Sequence, residues 1–282
     1  MKISVTMLSS YLYCSRKLFL EKVLLLKEPP KESLMLGSIR HETYDKINKT
    51  EEDIVTSITK RTPLGNIEAL YRQKYLQILR KTIANNKQRL EDIGLNMLDA
   101  YKKSFPFIAE ESASRAGNIF SFVEENKVFG EELWERLTPK IISEVRIESE
   151  TLRLKGIIDQ IHVYNEEYVP FELKTGRTPS DGVWPSHRIQ LAAYSLLLQE
   201  HFKKPIKEGY VVYLDTKEKR HIAINPYMKE EVKQIVDDII SLLESREPPD
   251  FCNNENKCRK CGLKQTCYNE EEVNNLLKAK AS

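Results

Sequence analysis

The chain has 282 residues, 40% hydrophobic and 30% charged, enough to bury a core and stay hydrated. Its 44 Lys plus Arg against 42 Asp plus Glu leave +2, which does not mark a strongly basic nucleic-acid binder, although a local basic groove is compatible with that total. No apolar run reaches the roughly eighteen residues of a membrane span, and the start, MKISVTMLSSYLYCSRKLFLEK, carries charges through its apolar residues, so no membrane span and no secretory signal are expected and the default is a cytoplasmic protein.

The first predicted element is a helix over 6–24, with Leu8, Leu12, Leu18 and Leu20 along it and Ser9-Ser10 as the start signal. A second amphipathic helix is expected over 33–48. From about 50 to 137 the chain is charged and helical in pattern. Within it, NIEALYRQKYLQILRK sets Ile67, Leu70, Leu76 and Leu79 at helical spacing. Past Pro139 the character changes to three strand-like runs, IISEVRIESE, LRLKGIIDQIHVYN and EYVPFELKTG, joined by polar turns as in a meander. WPSHRIQLAAYSLLLQEHF then reads as a strong helix bounded by Pro185. GYVVYLDT and KRHIAIN read as a strand pair. Pro226 opens a helix to about Leu243, with Pro248-Pro249 as its stop.

Five cysteines occur: Cys14, Cys252, Cys258, Cys261 and Cys267. Four crowd near the end of the chain and one sits near its start, and an odd count in a long chain argues against a disulfide framework and for metal or redox chemistry. CRKCGLKQTC spaces three of them as C-x2-C-x5-C, with Cys14 far upstream on the predicted helix. Thiolates grouped in this way bind zinc or an iron–sulfur cluster, and the spacing by itself leaves the metal open.

The run VPFELKTG poses a chemical question. Val169, Phe171 and Leu173 alternate with Glu172 and Lys174, so a short apolar strand carries a carboxylate and an ammonium on one face. On the preceding strand Asp159 sits between Ile157 and Ile161, where a lone acid is costly without a partner or a metal. Two carboxylates on neighbouring strands suit a hard cation such as Mg²⁺ or Mn²⁺. Such an ion polarises a phosphoryl oxygen and activates water, and Lys174 could orient that water or meet charge growing on a phosphate. The alternative is a plain salt bridge on a partly exposed strand.

GIID, twelve residues, then ELK resembles the PD-(D/E)XK nuclease superfamily. GSIRH, with His41 four residues after Gly37, is similar to the G-x-x-x-H element of RecB-like nucleases in that superfamily. HRIQLAAYSLLL, with Gln190 and Tyr194 one helical turn apart, is similar to their Q-x-x-x-Y element. One cysteine before this core and three after it, as C-x2-C-x5-C, resemble the iron–sulfur branch: the CRISPR-associated Cas-four exonucleases and the nuclease domains of AddB and Dna-two type. The resemblance covers about residues 8–48 and 140–270.

The resemblance implies an α/β fold with a restriction-endonuclease-like core, a central mixed β-sheet flanked by helices. It implies one nuclease domain over 1–282, with approximately 50–137 as a helical insertion and the cysteine segment 252–267 closing onto the N-terminal helix. His41, Asp159, Glu172 and the backbone carbonyl of Leu173 are then the divalent-metal ligands, binding Mg²⁺ or Mn²⁺. Asp159, Glu172, Lys174, Gln190 and Tyr194 form the catalytic set. Glu144 in IISEVRIE fits a strand acid sometimes found there. Cys14, Cys258, Cys261 and Cys267 are the [4Fe–4S] ligands, and Cys252 is left over. The implied activity is metal-dependent hydrolysis of DNA, at single-stranded ends, in CRISPR spacer acquisition alongside integration proteins. A repair nuclease outside CRISPR and a non-catalytic DNA-binding scaffold are the alternatives. Lys257, Arg259, Lys260 and Lys264 are candidates for phosphate contact, and Tyr11, Tyr13 and Trp184 for base stacking. There is no GxxxxGK[ST] run, so no helicase motor is visible.

Overall fold

The computed structural model describes residues 1–245 and 247–281. In chain order the elements are β1 (Ile3–Ser4), α1 (Val5–Tyr13), α2 (Ser15–Lys22), α3 (Glu32–Thr56), α4 (Ile67–Asn85), α5 (Lys87–Glu91), α6 (Met97–Asn126) and α7 (Gly130–Arg136). There follow β2 (Lys140–Ser149), β3 (Leu154–Tyr164), β4 (Glu167–Lys174), α8 (Pro185–Phe202), β5 (Glu208–Tyr213) and β6 (Glu218–Ala223). The chain ends with α9 (Pro226–Glu244), α10 (Glu255–Arg259), α11 (Lys264–Tyr268) and α12 (Glu270–Ala281). The strands form one sheet in the order β1-β3-β4-β5-β6, with β2 also paired to β3. It is a mixed sheet flanked by helices, as the resemblance implies: β1/β3 and β4/β5 are parallel, and β5/β6 is antiparallel. Among the described residues no helix is long and apolar enough to cross a membrane.

Two compact units are distinguishable, one of Met1–Pro29, Val145–Ile158 and Tyr168–Ser282, the other of Pro30–Glu144 and Asp159–Glu167. In the first, every residue from Ile189 to Leu198 of α8 is buried. A helix apolar on all sides must be covered on all sides, and α8 packs against α1, α9 and β5. The parallel register of β4 on β5 sets Glu172 beside Val211 and Lys174 beside Tyr213. In the second unit α4 packs on α3 and α6, and α7 packs on α3.

Several expected boundaries move. The helix expected over 6–24 is two helices, broken at Cys14, whose backbone is extended (φ −167°, ψ 108°). The break is satisfied locally: the Cys14 N–H donates to the Ser10 carbonyl at 2.9 Å, and the Cys14 thiol accepts from the Lys17 N–H at 3.3 Å. Ser4, not Ser9-Ser10, caps the start, accepting from the Met7 N–H, while the Ser10 hydroxyl donates back to the Thr6 carbonyl. The helix expected over 33–48 runs on to Thr56. In α4 the buried stripe uses Tyr71 and Tyr75 rather than Leu70, because their hydroxyls donate to the buried Glu51 carboxylate at 3.1 and 2.7 Å. α9 ends at Glu244, where Ser245 turns extended ahead of the two prolines.

Gly156 in β3 is a point of close approach. A Cβ there would stand 2.8 Å from Tyr194 Cε1 and 3.0 Å from Val5 Cγ2. The Gly of GIID thus makes room for the Tyr of Q-x-x-x-Y. Gly156→Ala should cost about 1–3 kcal/mol of stability through overpacking, read as a lower urea midpoint. Trimming the ring as well, with Tyr194→Leu, should recover part of that loss as a non-additive pair. Equal midpoints for wild type and Gly156→Ala would refute the contact.

Candidate functional site

Three ligand-type side chains meet in the second unit. His41 comes from α3, Glu144 from β2 and Asp159 from β3. Their donor atoms all lie within 4.8 Å of one another. His41 Nδ1 is 2.7 Å from Glu144 Oε1 and 3.4 Å from Asp159 Oδ1. Both carboxylates are buried, whereas the His41 side chain is 44% exposed, so the trio opens to solvent on the imidazole side. The hydrogen bond to Glu144 holds the His41 pKa above its ordinary value despite burial, with Asp159 adding to the effect. A place where carboxylates favour positive charge, with one nitrogen and two oxygens at hand, fits a divalent cation.

Glu144 reaches this position at a backbone cost. Its φ is +54°, in the left-handed region that bulky side chains seldom adopt, inside a strand. The sequence marked Glu144 only weakly, because strand periodicity carries no sign of such a residue. The apolar setting expected around Asp159 holds on one side alone. Asp159 and Ile161 are buried, but Ile157 is 40% exposed.

A second group lies in the first unit. Glu172 is 3% exposed, and Lys174 Nζ sits 2.6 Å from its Oε1. The same ammonium donates to Gln190 Oε1 at 2.8 Å. Gln190, itself buried, therefore fixes the lysine rather than standing apart as a separate contact. Leu173 lies between the two charged residues on β4, and Tyr194 lies one turn beyond Gln190, its ring against Gly156. His187, one turn before Gln190, was passed over in the sequence. Its Nδ1 is 3.1 Å from the Tyr213 hydroxyl, and burial, then the Lys174 charge, lowers its pKa to about 4. The spacing His187, Gln190, Tyr194 on one helical face was the available signal.

The five cysteines line one hollow, together with Tyr13, Lys17, Leu20, Phe251, Lys257, Lys264 and Tyr268. All five are half-buried. Burial pushes the Cys14 and Cys267 thiols up, so holding them as thiolates calls for a positive partner. A shared hollow lined by soft donors of this kind fits a bound zinc ion or an iron–sulfur cluster. Arg16, unnoticed in the sequence, ties the two ends of the chain here. Its guanidinium donates to the Pro249 carbonyl at 2.6 Å and the Cys267 carbonyl at 3.4 Å, and lies 3.9 Å over the Phe251 ring. Lys257 donates to the Tyr13 carbonyl at 2.7 Å, and Arg259 to Asn256 Oδ1. Tyr13 is 39% and Trp184 37% exposed, the latter with its indole N–H donated to the Arg177 carbonyl.

The chain is 32% identical over 159 residues to a CRISPR-associated exonuclease Cas4/endonuclease Cas1 fusion of Leptospira interrogans serogroup Icterohaemorrhagiae serovar Lai (strain 56601), covering 53% of this chain and 29% of that protein. It is 30% identical over 121 residues to the CRISPR-associated exonuclease Cas4 of Francisella tularensis subsp. novicida (strain U112), covering 43% of this chain and 59% of that protein. The match thus spans under two thirds of either relative's length. The solved structure of SSO0001 aligns with a TM-score of 0.33 and 16% identity, over 61% of this chain and 79% of that one. A family profile matches almost end to end, over residues 2–268, and by that match the chain belongs to the PD-(D/E)XK nuclease superfamily.

Proposed function

We propose that this protein is a divalent-metal-dependent DNA exonuclease acting on single-stranded ends in the cytoplasm, in CRISPR spacer acquisition beside integration proteins. The observation that carries the reading is the meeting of His41, Glu144 and Asp159 donor atoms within 4.8 Å in a chain of this superfamily. In this reading His41, Glu144 and Asp159 hold Mg²⁺ or Mn²⁺, and the resemblance also assigns Glu172 and the Leu173 carbonyl as metal ligands. The cation supplies charge stabilisation at the phosphate and a more acidic water. Lys174, gripped by Glu172 and Gln190, presents its remaining N–H to a phosphate oxygen or to the attacking water. Tyr194 sets the height of α8 over Gly156 and so the reach of Gln190.

Cys14, Cys258, Cys261 and Cys267 hold a [4Fe–4S] cluster, and the segment 252–267 closes with it onto the N-terminal helices. Residues 50–137 are a helical insertion in a single nuclease domain. Lys257, Arg259, Lys260 and Lys264 follow the DNA backbone, and Tyr11, Tyr13 and Trp184 stack on unpaired bases.

The test is end-labelled single-stranded DNA with Mn²⁺, Mg²⁺ or chelator. The expected result is metal-dependent shortening from an end, with circular single strands left intact. Cutting of circles would replace exonuclease by endonuclease action. Metal-loaded protein that binds DNA without cutting it would favour the scaffold reading.

A further inference from the structure

Arg115 of α6 is 2% exposed in its side chain, among the most deeply buried charges of the second unit. Its Nε donates to Glu111 Oε1 at 2.7 Å, one Nη to the Ile141 carbonyl at 3.0 Å, and the other to the Ser143 hydroxyl at 2.8 Å. Glu51 Oε2 lies 3.4 Å from the guanidinium and also accepts from Tyr75. The Glu111 oxygen accepts a second bond, from Gln160 Nε2 at 2.9 Å. The Ser143 backbone N–H donates to Asn48 Oδ1 at 3.1 Å.

These partners are not scattered. Ser143 immediately precedes Glu144, and Gln160 immediately follows Asp159. Asn48 stands seven residues beyond His41, two turns along the same helix. Glu144 and Asp159 are therefore each one residue from a member of this network, and His41 shares a helix with Asn48, which is bonded to it. A planar fork of five donors can hold two elements at a fixed separation, which a lone ammonium cannot. A buried ion pair is weak evidence for stability, since apolar residues of like volume often do as well, so its retention calls for another account. The left-handed backbone at Glu144 supplies one: a strained ligand needs its strand held on the near side, and Arg115 holds the strand at Ile141 and Ser143.

We infer that Arg115, with Glu111 as its relay to Gln160, is a positioning residue of the metal centre, setting Glu144 and Asp159 at ligand distance. The helices between α3 and α7 then serve as the frame of the site. The inference rests on the reading that His41, Glu144 and Asp159 bind a divalent cation.

The experiment is Mn²⁺ titration of the full chain, followed by loss of the free-ion electron paramagnetic resonance signal, for wild type, Asp159→Asn, Arg115→Lys and Ser143→Ala. Thermal unfolding in chelator runs beside it as the check on folding. Wild type should bind one ion that Asp159→Asn loses. Arg115→Lys keeps the charge but not the fork, and should bind about 10- to 100-fold more weakly while remaining folded. Ser143→Ala, missing one hydroxyl, should weaken binding in the same direction, and it decides the matter should Arg115→Lys fail to fold. A purely structural Arg115 would lower the melting temperature and leave manganese affinity unchanged, which would overturn the inference and leave the metal site standing. Wild type that binds no ion sensitive to Asp159→Asn would overturn both.

Discussion

Lys174→Ala is expected to remove nuclease turnover while leaving manganese affinity close to that of the wild type. Lys174 Nζ lies 2.6 Å from Glu172 Oε1, and its second bond goes to Gln190 at 2.8 Å. With those two bonds fixed, the third N–H has one direction left. A donor preorganised toward developing phosphate charge is worth about 10²–10³ in rate when removed. Glu172→Ala should cost at least as much. In the proposed reading it removes a metal ligand and frees the lysine together, so manganese affinity should fall as well. Lys174→Arg should not rescue, because a planar fork cannot reproduce the tetrahedral donors at this spacing. Steady-state cleavage of labelled single strands, paired with manganese titration, separates the two roles. Turnover that survives Lys174→Ala would reduce VPFELKTG to a strand with a buried salt bridge.

Cys258→Ser is expected to lose iron, broad visible absorption and much of the fold's resistance to heat. The hollow joins Cys14, near the start of the chain, to Cys258, Cys261 and Cys267, near its end. A cross-link closing a loop of some 240 residues stabilises by on the order of 5 kcal/mol in the chain-entropy account. Loss of that link should lower the melting temperature by roughly 10 °C or more for a chain of this size. Cys14→Ser should act likewise, with a smaller added cost from the weakened cap on the Lys17 N–H. Cys252 lines the same hollow as the four proposed ligands. The four-cysteine reading requires Cys252→Ser to keep its iron. Metal analysis and visible spectra of anaerobically purified variants decide each point, and zinc in place of iron in the wild type would overturn the cluster while keeping the staple.

The sequence by itself determined the order of the elements that carry the candidate site residues. Alternation placed β3 and β4, the Pro185 and Pro226 signals placed α8 and α9, and the motif residues Asp159, Glu172, Lys174 and Gln190 were all legible, because period and residue type are local properties. The tertiary structure decided what locality cannot carry. Cys14 breaks a helix whose apolar spacing runs on unbroken, because an extended backbone there is supported by its own thiol and by the Ser10 carbonyl. Glu144 joins His41 through a left-handed φ that no strand pattern announces. Arg16 and Arg115 look like ordinary surface cations in sequence. Each is buried because acceptors brought from more than twenty residues away, Pro249 for one and Ile141 and Ser143 for the other, satisfy its guanidinium, and only the folded chain brings those acceptors together.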